Sequence, residues 1–256
     1  MFDWLKRWRI ARTLERRAIP DALWRVTLTR FPFLALPNES DAMRLREMTT
    51  LFLAEKEFTG AQGLQVTDDM AVAIAAQACL PVLNLGLHWY GGFIGIVVHA
   101  DAVVAQREFE DESGVVHRFE EELTGEAMQD GPVMLSWRDV VESGESADAG
   151  YNVVIHEFAH VLDMRSGHAD GVPTLPDRDA HDRWLQVLTA QYDAFCDTLK
   201  MGKDTLLDPY AAEAPEEFFA VTSEAFFVAA TDFRAHHPEM HSLLREFYRQ
   251  DPAARV

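Results

Sequence analysis

Apolar residues recur at helical spacing early in the chain. Leu45, Met48, Leu51 and Phe52 stand three and four apart, and Glu55-Lys56 continue the pattern, which predicts a helix after the punctuation of Pro32, Pro37 and Asn38. A second apolar run, Met70 to Ala75, follows Asp68 and Asp69, either of which suits an N-cap. Residues 1–80 therefore read as mostly helical. From Leu80 the texture changes: Phe93–Val98, Val115–Phe119 and Pro132–Trp137 have the composition of strands. The acidic, glycine-bearing stretches 108–114 and 120–131 read as loops or strand ends. Beyond Gly144 the helical period returns in Tyr151–Leu162, with Ser146-Ala147-Asp148 as the expected N-cap and a stop near Ser166-Gly167. A helix from about Asp179 to Lys200 follows a loop with Gly171, Pro173 and Pro176. Another opens at Ala214-Pro215-Glu216-Glu217, with proline at an early position, and the last runs from about Pro238 to Gln250. Helices, then strands of a small mixed sheet, then helices describe an α+β chain. Residues 1–80 are expected as an N-terminal helical region and 81–256 as the main body, either two domains or a helical layer on one compact unit.

Composition narrows the class. At 256 residues and 48% hydrophobic, with no window of about 18 consecutive apolar residues, the chain reads as globular without a membrane span. Residues 1–30 alternate Trp4, Trp8, Ile10 and Leu14 with six basic residues, which is not the pattern of a secretory signal. Cys79 and Cys196 are isolated, as reduced thiols of a cytoplasmic protein would be. The net charge is −19, yet residues 1–30 carry +5, so the rest carries −24. A body of that sign repels phosphate backbones and argues against direct nucleic-acid binding. The basic N-terminal helix suits an acidic partner or a membrane surface, or, more plainly, packing on its own acidic body.

The chemistry concentrates in His156-Glu157-Phe158-Ala159-His160. On a helix, positions i and i+4 lie on one face, so both imidazoles can reach one Zn²⁺ while Glu157 serves as general base. A catalytic zinc takes a third protein ligand and keeps one position open. The long pattern with glycine and a third histidine is excluded, because Asp163 and Ser166 occupy those places. A glutamate on a later helix is the other solution. Glu217 and Glu224 lie seven apart on one face of the apolar helix 217–227, where a carboxylate is costly unless paired or bound to metal. Pattern alone leaves Glu217, Glu224 and Asp163 all open, with Glu217 preferred. Asp163 and Asn152, three residues after His160 and four before His156, are further expected to orient the histidines, as Glu224 is if it is not a ligand. A surface ion pair of Asp163 with Arg165 is the plainer alternative. A purely structural zinc fits poorly, since such sites are usually closed by four Cys or His ligands.

The chain resembles the Mlc titration factor A family of bacterial zinc metallopeptidases. The likeness is carried by Leu80–Leu83, Gly86-Leu87, Gly92-Phe93, Gly131-Pro132, Leu135, Trp137, the run Asn152–Asp163, Tyr210-Ala211-Ala212, Glu217–Val221, Phe247-Tyr248 and Gln250-Asp251-Pro252. It covers most of the chain from residue 80 and is less distinct before it. The family also resembles the catalytic domain of anthrax lethal factor. The resemblance implies a zincin-like fold, one Zn²⁺ per chain, Glu217 as third ligand and Tyr210 as a catalytic tyrosine. From the residues alone, Tyr210 would be a turn residue after Pro209. It also implies a histidine near the metal at His117, and from it follows the hypothesis of a fourth ligand that displaces the water and leaves the enzyme latent. A cross-strand polar role is the plainer alternative for His117.

Two functions are expected. One is a cytoplasmic, aminopeptidase-like zinc peptidase acting on short peptides, linked through a repressor to sugar uptake. The other is a regulatory protein that sequesters the glucose-responsive transcriptional repressor Mlc, whose basic DNA-binding domain an acidic surface would attract.

Overall fold

A capping side chain or an early proline opens the helices that begin at Glu39, Val153, Arg178, Pro215 and Pro238. A computed structural model describes residues 2–110, 116–129, 131–145 and 150–255, with 2, 3, 6, 103–110, 116–123 and 145 described by backbone alone. The N-terminal helices are α1 (Phe2–Arg16), α2 (Asp21–Arg30), α3 (Glu39–Glu55) and α4 (Asp68–Cys79). Asn38 caps α3 by accepting from the Asp41 amide at 3.1 Å. The strands are β1 (Glu57–Gly60), β2 (Gly95–His99), β3 (Val103–Glu110), β4 (Val116–Leu123), β5 (Gly125–Ala127) and β6 (Val133–Ser136). The later helices are α5 (Trp137–Glu145), α6 (Val153–Asp163), α7 (Arg178–Lys200), α8 (Pro215–Val228), α9 (Ala230–His236) and α10 (Pro238–Tyr248).

Four strands form a mixed sheet in the order β1-β2-β6-β5. β1, β2 and β6 run parallel, with Phe58 opposite Ile96 and Val98 opposite Leu135. β5 runs antiparallel at the edge, with Gly125 opposite Leu135, and lies against α6. β3 and β4 make a separate antiparallel pair.

The core runs through α6, whose Val154, Ile155 and Phe158 are fully buried. The Phe158 ring sits 4.9 Å from Tyr90, 5.8 Å from Phe52 and 5.9 Å from Phe93, so α3 and the approach to β2 both grip the helix. On its other side α6 packs on α8, which buries Phe218, Phe219 and Phe226. No described helix is long and apolar enough to cross a membrane.

Several expectations need correction. The α6 cap is Asn152, whose side chain accepts from the Ile155 amide at 2.8 Å, while residues 146–149 of the proposed capping cluster lie outside the described residues. Thr67 occupies the α4 N-cap position, which puts Asp68 and Asp69 inside the first turn. β2 begins at Gly95 rather than Phe93, and Trp137 opens α5 instead of closing a strand. β1, β3, β5, α5 and α9 have no counterpart among the expected elements.

Candidate metal centre

Helix geometry brings the two histidines together. His156 and His160 stand one turn apart on α6, their Nε2 atoms 3.2 Å from each other. α8 supplies the third group: Glu217 Oε2 lies 3.1 Å from His156 Nε2 and 3.4 Å from His160 Nε2. Ligands at about 2.0–2.1 Å in a tetrahedral set would stand roughly 3.3 Å apart, so this triangle has the size of a divalent-cation site. The Glu217 Oε2 atom is buried and meets no hydrogen-bond geometry among the described residues, despite its two nitrogen neighbours. Three side chains of ligand type whose donor atoms all lie within 4.8 Å of one another fit a metal. Burial disfavours charge on His156, but Glu217 and Glu224 overcome it and hold the imidazole well above its ordinary pKa. For Glu217, burial is likewise outweighed by the two histidines, which pull it far below the carboxylate range.

The other face of His156 is held from behind. Glu224 Oε1 lies 2.8 Å from His156 Nδ1, and its Oε2 accepts the Asn152 backbone N–H. The Asn152 side-chain amide in turn donates to Gln77 Oε1 on α4 at 2.7 Å. This buried chain, Gln77 to Asn152 to Glu224 to His156, fixes the ring and leaves its Nε2 facing Glu217. Asn152 is therefore not the direct partner of an imidazole, because its oxygen already caps α6. Gln77 escaped sequence reasoning. Its one signal is a lone amide in the buried run Ala75-Ala76-Gln77-Ala78-Cys79.

Asp163 is fully buried at the end of α6, so a surface ion pair with Arg165 is ruled out. Its Oδ2 accepts the Gly171 N–H at 2.7 Å, and Gly171 O accepts from the Trp184 indole at 2.8 Å. Asp163 thereby ties α6 to the loop before α7. Burial lifts its carboxyl to about 7, with the Gly171 amide working the other way. Arg165 turns elsewhere, donating to Trp89 O at 2.9 Å and lying over the Trp89 ring.

Glu157 lines a cleft of about 270 Å³ together with Gly125, Tyr151, His156, Asp208, Tyr210 and Glu224. It is only 5% exposed, and burial raises its pKa while His156, His160 and the Ala127 backbone amide lower it. A Cβ on Gly125 would fall 2.6 Å from Glu157 Cγ, so the edge strand β5 approaches the carboxylate as only glycine allows. Tyr210 sits on a turn fixed by Asp208, which accepts the Tyr210 amide at 2.8 Å. The residue is 41% exposed, and its ring is centred 6.0 Å from the His156 ring. His117 stands in β4 opposite Phe109, and the position of its side chain lies outside the described residues.

Comparison with known proteins gives a consistent result. The family model described as "Glucose-regulated metallo-peptidase M90" matches residues 5–249. A protein of Klebsiella pneumoniae named Mlc titration factor A is 37% identical over 227 residues, covering 88% of this chain and 84% of that one. One of the same name from Escherichia coli is 34% identical over 252 residues, covering 97% and 92%. Another from Salmonella arizonae is 36% identical over 239 residues, covering 92% and 94%.

Proposed function

The chain belongs to the glucose-regulated metallo-peptidase M90 family, and from that premise we propose that it is a zincin-like, zinc-dependent peptidase of aminopeptidase type, acting on short peptides. The observation that supports this most is the triangle of His156, His160 and Glu217 beside the buried carboxylate of Glu157. Those three residues would hold the ion. Zinc in such a site lowers the pKa of a bound water to about 7 and polarises the scissile carbonyl.

The chain's own groups supply the remainder. Glu157, kept from bulk water and pushed toward the neutral form by burial, accepts the proton of the attacking water and passes it to the leaving amine. The phenol of Tyr210, on the opposite lip of the cleft, donates to the developing oxyanion. Glu224 orients His156 by accepting its Nδ1–H, which leaves the Nε2 lone pair for the metal. The edge strand β5 borders one side of the cleft through Gly125. The test is hydrolysis of chromogenic amino-acid substrates, free and N-blocked, by zinc-loaded protein. The free set should be cleaved, and Glu157→Gln should lose about 10²–10⁴-fold in rate. Equal rates in the two proteins would refute the assignment.

A second reading is favoured by the relatives' name and by the −19 charge: a cytoplasmic protein that captures the repressor Mlc. The acidic surface would attract a basic DNA-binding domain and repel DNA itself. Capture that survives Glu157→Gln would place repressor binding apart from hydrolysis; capture lost with activity would merge the two.

A further inference from the structure

The N-terminal helix presents an unusual face. α1 packs on α3, and its half-buried residues, Ile10, Thr13 and Leu14, are spaced to share one face. At 100° per residue the opposite face carries Trp4, Leu5 and Trp8, with Arg9, Arg12 and Arg16 beside them. Trp4 is 68% exposed, Leu5 45% and Trp8 48%, and these aromatic surfaces have no apolar cover among the described residues. The Arg12 guanidinium lies over the Trp8 ring at 5.0 Å, so charge and aromatic surface form one patch. Glu15 is the single carboxylate on that face, whereas the first 17 residues hold six basic and two acidic side chains.

A solvated helix has no use for two exposed indoles, and a helix made for nucleic acid would not set them in a row with leucine on a body of charge −24. Indole, leucine and arginine on one face suit the boundary between headgroups and acyl chains, where the rings sit among the ester groups and the guanidinium groups meet anionic phosphates. Repulsion from carboxylates farther from the lipid surface than a Debye length of about 8 Å is largely screened. We propose that the outward face of α1, built on Trp4, Leu5, Trp8, Arg9, Arg12 and Arg16, docks this protein on an anionic phospholipid surface.

The experiment uses the full chain and unilamellar vesicles, either phosphatidylglycerol with phosphatidylcholine or phosphatidylcholine alone. The protein should co-sediment with the anionic vesicles at low salt and lose about tenfold in bound fraction on pure phosphatidylcholine or at about 0.5 M NaCl. Brominated lipid should quench its tryptophan emission. Trp4→Ala with Trp8→Ala should cut sedimentation about tenfold and abolish the quenching, with an unchanged circular dichroism spectrum because both rings are exposed. No binding to anionic vesicles would overturn the proposal. So would binding that ignores the two tryptophans, or a duplex DNA retained at lower concentration than the vesicles in the same buffer.

Discussion

Glu224 and Glu217 show how one helix divides two similar side chains between different tasks. They stand seven apart on α8, yet Glu217 meets both Nε2 atoms and Glu224 meets only Nδ1 of His156. The histidine pair was legible in the sequence because i, i+4 spacing is fixed by helix geometry. The division between the glutamates was not, since it depends on how α8 is seated against α6. Replacing Glu224 with glutamine would set an amide against the Asn152 N–H, and metal affinity should fall about 10–100-fold. Competition with a fluorescent chelator measures this, and an unchanged affinity would deny Glu224 its orienting role. Asp163 gives a pH signature. Its carboxyl is raised from 3.8 to about 7, so the stability it contributes is complete below about pH 4 and is lost as pH rises through 7. Asp163→Asn keeps an acceptor for Gly171 and removes the charge. In metal-free protein the variant should melt near wild type at pH 4 and several degrees above it at pH 8; an equal difference at both would contradict the account.

At the scale of elements, the long helices were readable and the short strands were not. α3, α7 and α8 carry strong periodicity or a proline start, while β1 is only Glu57-Phe58-Thr59-Gly60 and gains its identity by pairing with β2. β5 was hidden among acidic residues, yet its Gly125 lies against the Glu157 side chain. Gly125→Ala tests that approach. The added methyl group would press on the Glu157 side chain, so the expected result is near-normal metal content with hydrolysis reduced at least tenfold, since geometry lost at the base costs rate before binding. The core offers a contrasting control. Phe158→Ala, on the buried side of α6, should cost about 3–5 kcal/mol of stability by denaturant titration, because the rings of Phe52, Tyr90 and Phe93 close around that position.

For the molecule as a whole, the α+β order was legible from texture alone, and so was the contrast between a basic N-terminus and an acidic body. What required three dimensions was the meeting of distant segments. Gln77 reaches His156 only through Asn152 and Glu224, and their sequence separations leave no local pattern. On the proposed function, α6 and α8 together hold one catalytic zinc. Its most direct test is zinc content after equilibrium dialysis, measured on wild type, Glu157→Gln and Glu217→Ala. One zinc per chain is expected in wild type and Glu157→Gln, with strong depletion in Glu217→Ala. Full zinc in Glu217→Ala, or none in wild type, would contradict it.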